Sequence, residues 1–391
     1  MTIYKRKNRA SKPWVFEWTE KDAEGKPHKR TKSFDKKEEA KQAEAHYMVD
    51  TTGEMPNNPD MTFVDYFELW LDTYKKPVVS AVTMTKYATS QNIIAGYWKQ
   101  TKLRDITRTK YQKFMNWYID DGFGHKHSKQ SVEKLHSHAH QCLLSALDDN
   151  YLRKDPAVRA VLGGTEGKSE NDKFLEADDF EKLRDYANHF ANETRIGLSM
   201  VQFAIYTGAR VAEVQGISWH DIDEKAGTVS INKTFNYRTW RPKKDEHDTV
   251  IWEKPDKVFL PTKNHETRVL DISPVLMHSL HKLMLRAKIS AKTNPYGLLF
   301  IGPDGTPPTD NDANKEMRRA MQRIGIYEGK ELFSFHGLRH SHGSYLLSQG
   351  VDIQYVSKRL GHKNLAITLK VYAHVLDRLK RTEAKKAVSV L

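Results

Sequence analysis

Three histidines and an arginine lie within seven residues near the C-terminal end of the chain, namely His336, Arg339, His340 and His342. Such a cluster could bind a metal ion, line a solvated surface or carry acid–base chemistry. His336 and His340 have the i, i+4 spacing of helical zinc ligands, but the glutamate of the HExxH motif is missing and no third ligand is evident. The pattern therefore does not favour a metal site, and His340 and His342 are expected to pack or to contact phosphate.

Two further cationic residues occur upstream, each beside a sharp turn. Arg210 follows Gly208, where an apolar helix ends, and opens the next helix. An arginine at a helix start can meet an anion together with unbonded backbone N–H groups, and Glu213, one turn on, could fix its guanidinium. Lys263 lies in a tight loop between two extended segments and could project at a substrate. A surface ion pair and a solubilising hairpin lysine are the plainer alternatives.

The last pair of residues is His362 and Tyr372. His362 follows Gly361, which ends a helix, and Tyr372 lies ten residues later on an amphipathic helix, where a tyrosine is usually a core or boundary residue. Taken together and in order, the motifs TGAR, the hairpin lysine, HGLRH, LGH and VYAH resemble those of the tyrosine recombinases, the phage-type integrases. The resemblance covers essentially all of residues 172–391.

This resemblance implies cleavage of a DNA phosphodiester by an enzyme nucleophile. Arg210 and Arg339 would clamp the non-bridging oxygens, since guanidinium forks match phosphate geometry. Tyr372 would attack and form a 3′-phosphotyrosyl link. A phenol of pKa near 10 is mostly protonated at pH 7, so it needs a cationic site or a base to become a good nucleophile.

The resemblance also assigns the proton transfers. Lys263 would protonate the leaving 5′-oxygen, His336 would assist proton transfer at the tyrosine, and His362 would hydrogen-bond the phosphate. Glu213 would orient the arginines. No metal, ATP or other cofactor is required, because side chains supply the cations and the covalent link conserves the phosphodiester energy.

Composition agrees with a DNA partner. The net charge is +13 and the sequence pI is about 9.4, which favours polyanions because bound Lys and Arg release counterions from phosphates. The single cysteine, Cys142, excludes an intrachain disulfide. There is no apolar run long enough to span a membrane and no secretory signal. We expect a bacterial cytoplasmic protein associated with the nucleoid.

The elements that position these residues form a multidomain α+β protein. Residues 1–55 predict a small sheet with one helix, and resemble the three-stranded arm-type DNA-binding domain of integrases. Residues 62–160, after a Gly/Pro/Asn-rich linker, predict a helical bundle that resembles the SAM-like core-binding domain. Residues 172–391 predict a mainly helical catalytic domain with a small antiparallel sheet and a C-terminal tail. Within it, 237–256 is expected to be a long surface loop.

A histidine cluster in the helical bundle and a set of basic residues in the N-terminal domain complete the candidate sites. His136, His138 and His140 cannot all face one way on a helix, so they are not expected to bind metal. The N-terminal DNA contacts are expected from a basic arm and from a strand that could lie in a groove; they are Lys5, Arg6, Lys7, Arg9, Arg30 and Lys32.

The family resemblance implies an integrase that joins and excises phage or other mobile DNA. Its partners would be double-stranded core-type and arm-type sites, bound as a homotetramer, with an excisionase or a DNA-bending host protein as possible accessories. The tail would dock onto a neighbouring protomer. The alternatives are a chromosome-dimer resolvase, a topoisomerase IB-like enzyme and a DNA-binding regulator that does not cleave.

Overall fold

The computed structural model describes residues 2–6, 11–21, 27–52, 58, 60–121, 124–167, 174–237, 240, 242–263, 265–290, 293–331, 333–373, 375 and 376. The chain divides into two compact units, Met1–Gly167 and Lys168–Leu391. No helix of the described ranges is long and apolar enough to cross a membrane.

The first unit opens with a three-stranded antiparallel sheet, β1 (Thr2–Lys5), β2 (Trp14–Lys21) and β3 (Pro27–Phe34), in that order. Helix α1 (Lys37–Thr52) packs against it. Phe16 and Trp18 lie on one face of β2, because side chains alternate along a strand, and both rings pack against Tyr47 of α1. The expected sheet and helix are therefore confirmed. Lys5, Arg6, Arg30 and Lys32 are exposed, whereas Lys7 and Arg9 lie outside the described residues.

A helical bundle follows in the same unit. Its helices are α2 (Phe63–Trp70), α3 (Ala81–Trp98), α4 (Arg108–Ile119) and α5 (Lys129–Asp148), with a π-helical turn at Leu71–Lys75 and a 3₁₀ turn at Leu103–Asp105. Each α-helix begins after a Ser or Thr whose hydroxyl accepts a hydrogen bond from a first-turn N–H. Aromatic residues of α2, α3 and α4 fill the core.

The three histidines of α5 each meet a different polar group. His136 Nδ1 lies 3.0 Å from the hydroxyl of Tyr111, His138 Nδ1 lies 2.8 Å from that of Ser90, and His140 Nε2 lies 2.8 Å from a carboxylate oxygen of Asp155. Burial lowers the pKa of His138 to about 4. These histidines therefore serve the packing of the bundle, and no group of three or more metal-ligating side chains occurs among the described residues.

The second unit is built mainly from helices. They are α6 (Ala177–Phe190), α7 (Ile196–Thr207), α8 (Val211–Gln215), α9 (Pro255–Val258), α10 (Pro274–Ile289), α11 (Asp310–Arg323), α12 (Phe335–Ser348), α13 (Ile353–Leu360) and α14 (Leu365–Val371). Helix α7 is apolar on all sides and is buried against α6, α11 and α12. It is the central helix of this unit, and its C-terminal end leads into the site.

Short antiparallel strands complete the unit. They are β4 (Ile222–Asp223), β5 (Thr228–Ile231), β6 (Lys233–Phe235), β7 (Lys243–Lys244), β8 (Val250–Ile251), β9 (Phe259–Pro261) and β10 (Arg268–Asp271). One sheet has the order β10-β5-β4, and β6 pairs with β9 and β7 with β8. The expected α+β class is confirmed.

The segment 237–256 was expected to be a surface loop, and that expectation is wrong in part. Trp240 is fully buried and stacks on Trp252 with ring centroids 4.9 Å apart. With Phe235, Val258 and Leu298 they form a separate small core. The reason is the hydrophobic effect, because large aromatic rings placed in an otherwise polar segment gain most by packing together.

Candidate active site

Arg210 and Glu213 are held by the junction of α7 and α8. Helix α7 ends at Gly208, which has a left-handed φ of 64° and so permits the abrupt turn. Glu213 is fully buried, and its carboxylate accepts hydrogen bonds from the backbone N–H and the guanidinium of Arg210, both 2.9 Å long. The predicted orienting role of Glu213 thus has a direct geometric basis, and the surface ion pair is excluded by its burial.

A second arginine, which sequence reasoning missed, reaches the same carboxylate. Arg268 on β10 donates to both oxygens of Glu213 at 3.3 and 2.6 Å. Burial raises the pKa of Glu213, but the hydrogen bond and charge of Arg268, followed by the charge of Arg210, outweigh it and lower the pKa to about 2. Glu213 is therefore an ionised, doubly paired carboxylate at neutral pH.

Arg339 is buried in the second turn of α12, with 2% of its surface exposed. Its guanidinium donates to the carbonyl of Gly208, 2.9 Å away, and to the carbonyl of Leu360. Burial and then the charge of Arg210 lower the pKa of Arg339 to about 9. It therefore ties together the two turns that carry Arg210 and His362.

His336 and Lys263 are the two exposed members of the predicted catalytic set. His336 lies in the first turn of α12, and Lys263 is exposed in the loop between β9 and β10. His336 is exposed at the surface, but desolvation by the atoms around it, followed by the charges of His340, Arg339, Arg210 and Lys263, lowers its pKa to about 4. His336 is thus neutral at pH 7 and can accept a proton.

His362 follows Gly361, whose φ of 64° ends α13 in a left-handed turn. The His362 Nδ1 hydrogen-bonds the hydroxyl of Thr368, 2.7 Å away, and Thr368 is fully buried on α14. Burial and the charges of Arg339 and Arg210 lower the pKa of His362 to about 4. His362 is therefore neutral as well, with Nε2 left as the ring atom that can bond a phosphate oxygen.

Tyr372 follows α14 directly and is 1% exposed. Its hydroxyl donates a long hydrogen bond of 3.4 Å to the carbonyl of Arg339, and its ring lies over Gly343, where a Cβ would stand 2.2 Å from the phenolic oxygen. Burial raises the pKa of Tyr372 to about 12, although the charge of Arg339 opposes this. The phenol is thus beside the cationic cluster, but protonated and enclosed.

Comparison with known proteins identifies the family. The model of the phage integrase family matches residues 173–378, which is more than half of the 391-residue chain. The chain belongs to the phage integrase family. The prediction of a tyrosine recombinase is therefore confirmed, and this integrase is a tyrosine site-specific DNA recombinase.

Relatives and solved structures agree with this assignment. The integrase is 23% identical over 342 residues to a XerC-like tyrosine recombinase of Caldanaerobacter subterraneus, covering 82% of this chain and 81% of that protein. It is 23% identical to the integrase of Staphylococcus phage L54a, over 83% and 92% of the two chains. The Tn1549 transposon integrase bound to transposon right-end DNA shares the fold, with a TM-score of 0.62, 15% identity and coverage of 83% and 99%.

A lambda integrase dimer bound to a core site matches over most of both chains. It covers 95% of this integrase and 94% of the lambda chain, with a TM-score of 0.54 and 16% identity. At such identity the match shows the fold alone.

The two other histidines of α12 have separate positions in the integrase. His342 is buried, donates from Nδ1 to the carbonyl of Ile205 at 2.8 Å, and accepts at Nε2 from Arg359. Its pKa is lowered to about 3, by burial first and the charge of Arg359 next. Of the two expected roles, packing is the one that fits His342. The ring of His340 instead lies between those of His336 and Tyr372.

The geometry thus gathers the six predicted catalytic positions around α12. The charge of Arg210 lowers the pKa of His336, Arg339 and His362, the charge of Lys263 lowers that of His336, and Tyr372 contacts the carbonyl of Arg339. Arg268 and Thr368 were missed because neither belongs to a recognisable motif. The only sequence signal for Arg268 is its place in the strand RVLD, two residues from the buried Leu270 and so on the same face.

Proposed function

We propose that the integrase cuts and rejoins DNA through a 3′-phosphotyrosyl intermediate on Tyr372, and that it thereby integrates and excises a phage or other mobile element. The observation that carries this proposal is the gathering of two arginines, a lysine and two neutral histidines around the helix that bears Arg339 and contacts the Tyr372 phenol. A phosphodiester in cleavage needs cationic hydrogen-bond donors, a nucleophile, and groups that move two protons.

The two arginines stabilise the charge on the phosphate. A guanidinium has five N–H donors. Arg339 uses one N–H on each of two carbonyls, which leaves three, and Arg210 uses one on Glu213 while its side chain stays 22% exposed. Arg210 is therefore the arginine that a DNA phosphate contacts first. Arg339 is the buried arginine of the same site.

The proton transfers fall to Lys263 and His336. His336 is neutral at pH 7 and can take the phenolic proton as Tyr372 attacks phosphorus. Lys263, on its exposed loop, can reach the 5′-oxygen and protonate it as the P–O bond breaks. His362 donates a hydrogen bond to a non-bridging oxygen. In resealing, a 5′-hydroxyl attacks the phosphotyrosine and the same protons return.

Cleavage first requires Tyr372 to leave its position over Gly343. In that position the hydroxyl faces the carbonyl of Arg339, and the raised pKa opposes ionisation. We propose that this is the resting state and that bound DNA favours the released state. Such an arrangement protects the nucleophile until the substrate is present.

The N-terminal sheet favours an integrase over a dimer resolvase. Its exposed Arg30 and Lys32 fit an arm-type site, and the core-type site would be held by the helical bundle and the catalytic unit. Residues 1–55, 62–160 and 172–391 would thus act as arm-binding, core-binding and catalytic domains. By analogy with structures such as the lambda integrase dimer on a core site, several protomers would act together, here as a homotetramer with an excisionase or DNA-bending protein.

The decisive experiment uses a core-site suicide substrate and a denaturing gel. Wild-type protein should form a covalent protein–DNA adduct, whereas Tyr372→Phe should keep DNA binding and form none. Tyr355→Phe, a change of an exposed tyrosine on α13, is the matched control and should form the adduct normally. An adduct in Tyr372→Phe would remove Tyr372 from its role. The substrate itself can be found by testing repeats that flank the coding region.

A further inference from the structure

Arg268 has a geometry that suits support of the catalytic arginine rather than contact with DNA. Its side chain is 9% exposed and lies in β10, directly beyond the loop of Lys263. Both terminal nitrogens of its guanidinium donate to Glu213, in the bidentate arrangement that fixes a carboxylate most firmly. Because these nitrogens are committed and buried, Arg268 is poorly placed to bind a DNA phosphate.

The charges around Glu213 explain why a second arginine is paired with it. Glu213 is fully buried and touches two guanidinium groups, so the trio of Arg210, Arg268 and Glu213 carries two positive charges and one negative. Without Arg268, Glu213 would neutralise Arg210 alone. With Arg268 present, its positive charge balances the negative charge of the Glu213 carboxylate. The positive charge of Arg210 then remains available to an incoming phosphate.

Arg268 also lies against the turn that carries His362. A Cβ at Gly361 would stand 3.2 Å from its Nη1 and 3.4 Å from its Cδ. The position of Arg268 therefore links three parts of the site: the strand after Lys263, the carboxylate that holds Arg210, and the turn before His362. A displacement of Arg268 would therefore shift catalytic groups that lie on separate elements.

We infer that Arg268 is a positioning residue of the recombinase, which acts through Glu213 to hold Arg210 in its orientation and to preserve the positive charge of Arg210. This inference rests on the proposed function, since it concerns the same cleavage step. It predicts that loss of Arg268 damages cleavage through Glu213 and leaves DNA binding nearly intact.

A double-mutant cycle tests the inference. Full-length Arg268→Met, Glu213→Gln and the double variant are bound to saturating suicide substrate, and the single-turnover rate of adduct formation is measured. Arg268→Met should slow the rate by about 100-fold, the cost of misplacing a catalytic group by about an ångström, while its affinity for DNA changes by less than about threefold. In the Glu213→Gln background, Arg268→Met should slow the rate by less than about threefold.

The pH dependence gives a second readout. The groups that face Glu213 are Arg210 at the N-cap of α8, Arg268 on β10 and Arg339 on α12. When Arg268 is removed, burial is less opposed and the pKa of Glu213 rises from about 2. The cleavage rate of Arg268→Met should therefore fall towards acidic pH, where the wild-type rate is not limited by this group. The double variant should not show this added fall.

Two further variants, Arg268→Lys and Arg319→Met, serve as controls. Arg268→Lys keeps the charge and loses the fork, so it should recover part of the rate. Arg319→Met removes an exposed arginine that pairs with Glu316 on α11 and should cleave like wild type. Equal losses from Arg268→Met in both backgrounds, or an equal fall in binding and cleavage, would overturn the inference. Failure of the wild type to form an adduct would instead defeat the proposed function.

Discussion

Replacement of Gly343 by alanine should release the nucleophile. Gly343 lies within α12, and a Cβ there would stand 2.2 Å from the Tyr372 hydroxyl oxygen, 2.3 Å from Cζ and 2.8 Å from Cε1. No small adjustment relieves three such contacts with one ring, so the ring must leave. Gly343→Ala therefore converts the enclosed phenol into an exposed one without changing any group that takes part in catalysis.

The magnitude can be worked from two quantities. Burial of an aromatic side chain contributes about 1.5–3 kcal/mol, which is the free energy that release must overcome in the wild type. The pKa of Tyr372 is raised from 10.0 to about 12, so the phenolate is about 100-fold rarer at pH 7 and costs about 2.7 kcal/mol more to form than in solvent. Each quantity sets a ceiling near 100-fold on the gain in adduct formation.

The stability of the variant should fall only slightly. The ring loses its buried contacts, about 1.5–3 kcal/mol, but alanine within a helix is about 0.5–1 kcal/mol more favourable than glycine. The free energy of unfolding should therefore fall by about 0.5–2.5 kcal/mol. Gly96→Ala is the matched control, because Gly96 lies in α3 with nothing within 4 Å of its Cβ position. It should gain helix stability and leave Tyr372 unaffected.

The assay combines nitration with cleavage. Tetranitromethane modifies exposed tyrosines, and trypsin yields Tyr372 in the peptide VYAHVLDR, residues 371–378, which mass spectrometry can quantify. Gly343→Ala should show stronger nitration of this peptide without DNA and faster adduct formation with a suicide substrate. If neither changes, Tyr372 does not rest over Gly343. If nitration rises while cleavage slows, the enclosed position belongs to the reacting geometry and the resting-state argument is wrong.

Three further outcomes are expected. Arg210→Ala should reduce adduct formation by about 100- to 1,000-fold while DNA binding falls far less, because a donor to the transition-state charge is lost. Binding and cleavage are measured on separate gels. Equal losses of the two would mean that Arg210 only contacts the DNA backbone. Thr368→Val removes the partner of His362 Nδ1 and should slow cleavage, whereas Thr368→Ser should restore it in the same single-turnover assay. Removal of residues 1–55 should spare cleavage at a core site but abolish mobility shifts of arm-site DNA.

The stability of the enclosed Tyr372 should fall at alkaline pH. Because the pKa of Tyr372 is raised in the folded state, its enclosed position is stabilised fully below pH 10, and that contribution is lost as the pH rises through about 12. Release of the ring by Gly343→Ala should bring the titration back towards 10.

The sequence could predict the chemistry because it depends on residue type and order. Arg210, His336 and Arg339 lie beside glycines and helix starts, and such local signals survive without knowledge of packing. The small sheet and the helices were predictable for the same reason, since alternation and helical periodicity are local. Long-range partners were not, and Arg268 is the clearest case. It meets Glu213 across 55 residues, and its spacing from Arg210 has no meaning until β10 is placed.

Local irregularities were equally hard to predict. The spacing of Phe63, Phe67, Trp70 and Tyr74 is that of one helix face. The π-helical turn at Leu71–Lys75 changes the angular register, however, and Tyr74 is 49% exposed while the other three are buried. The aromatic core around Trp240 was missed because its members come from segments separated by polar and charged residues. In both cases tertiary packing decides between conformations that local propensity leaves nearly equal.

Tyr372 shows why a structural and a catalytic interpretation of one residue need not exclude each other. A tyrosine on an amphipathic helix is usually a core residue, and here the ring is indeed buried against α12, with 1% of its surface exposed. Yet the carbonyl that accepts its hydroxyl belongs to Arg339, so the buried ring already lies next to the charge it would need in cleavage. The packing energy that encloses the phenol is of the same size as the cost of ionising it there, about 2–3 kcal/mol. Binding energy from DNA phosphates is ample to reverse a preference of that size, and the core position can therefore serve as the resting state of the nucleophile.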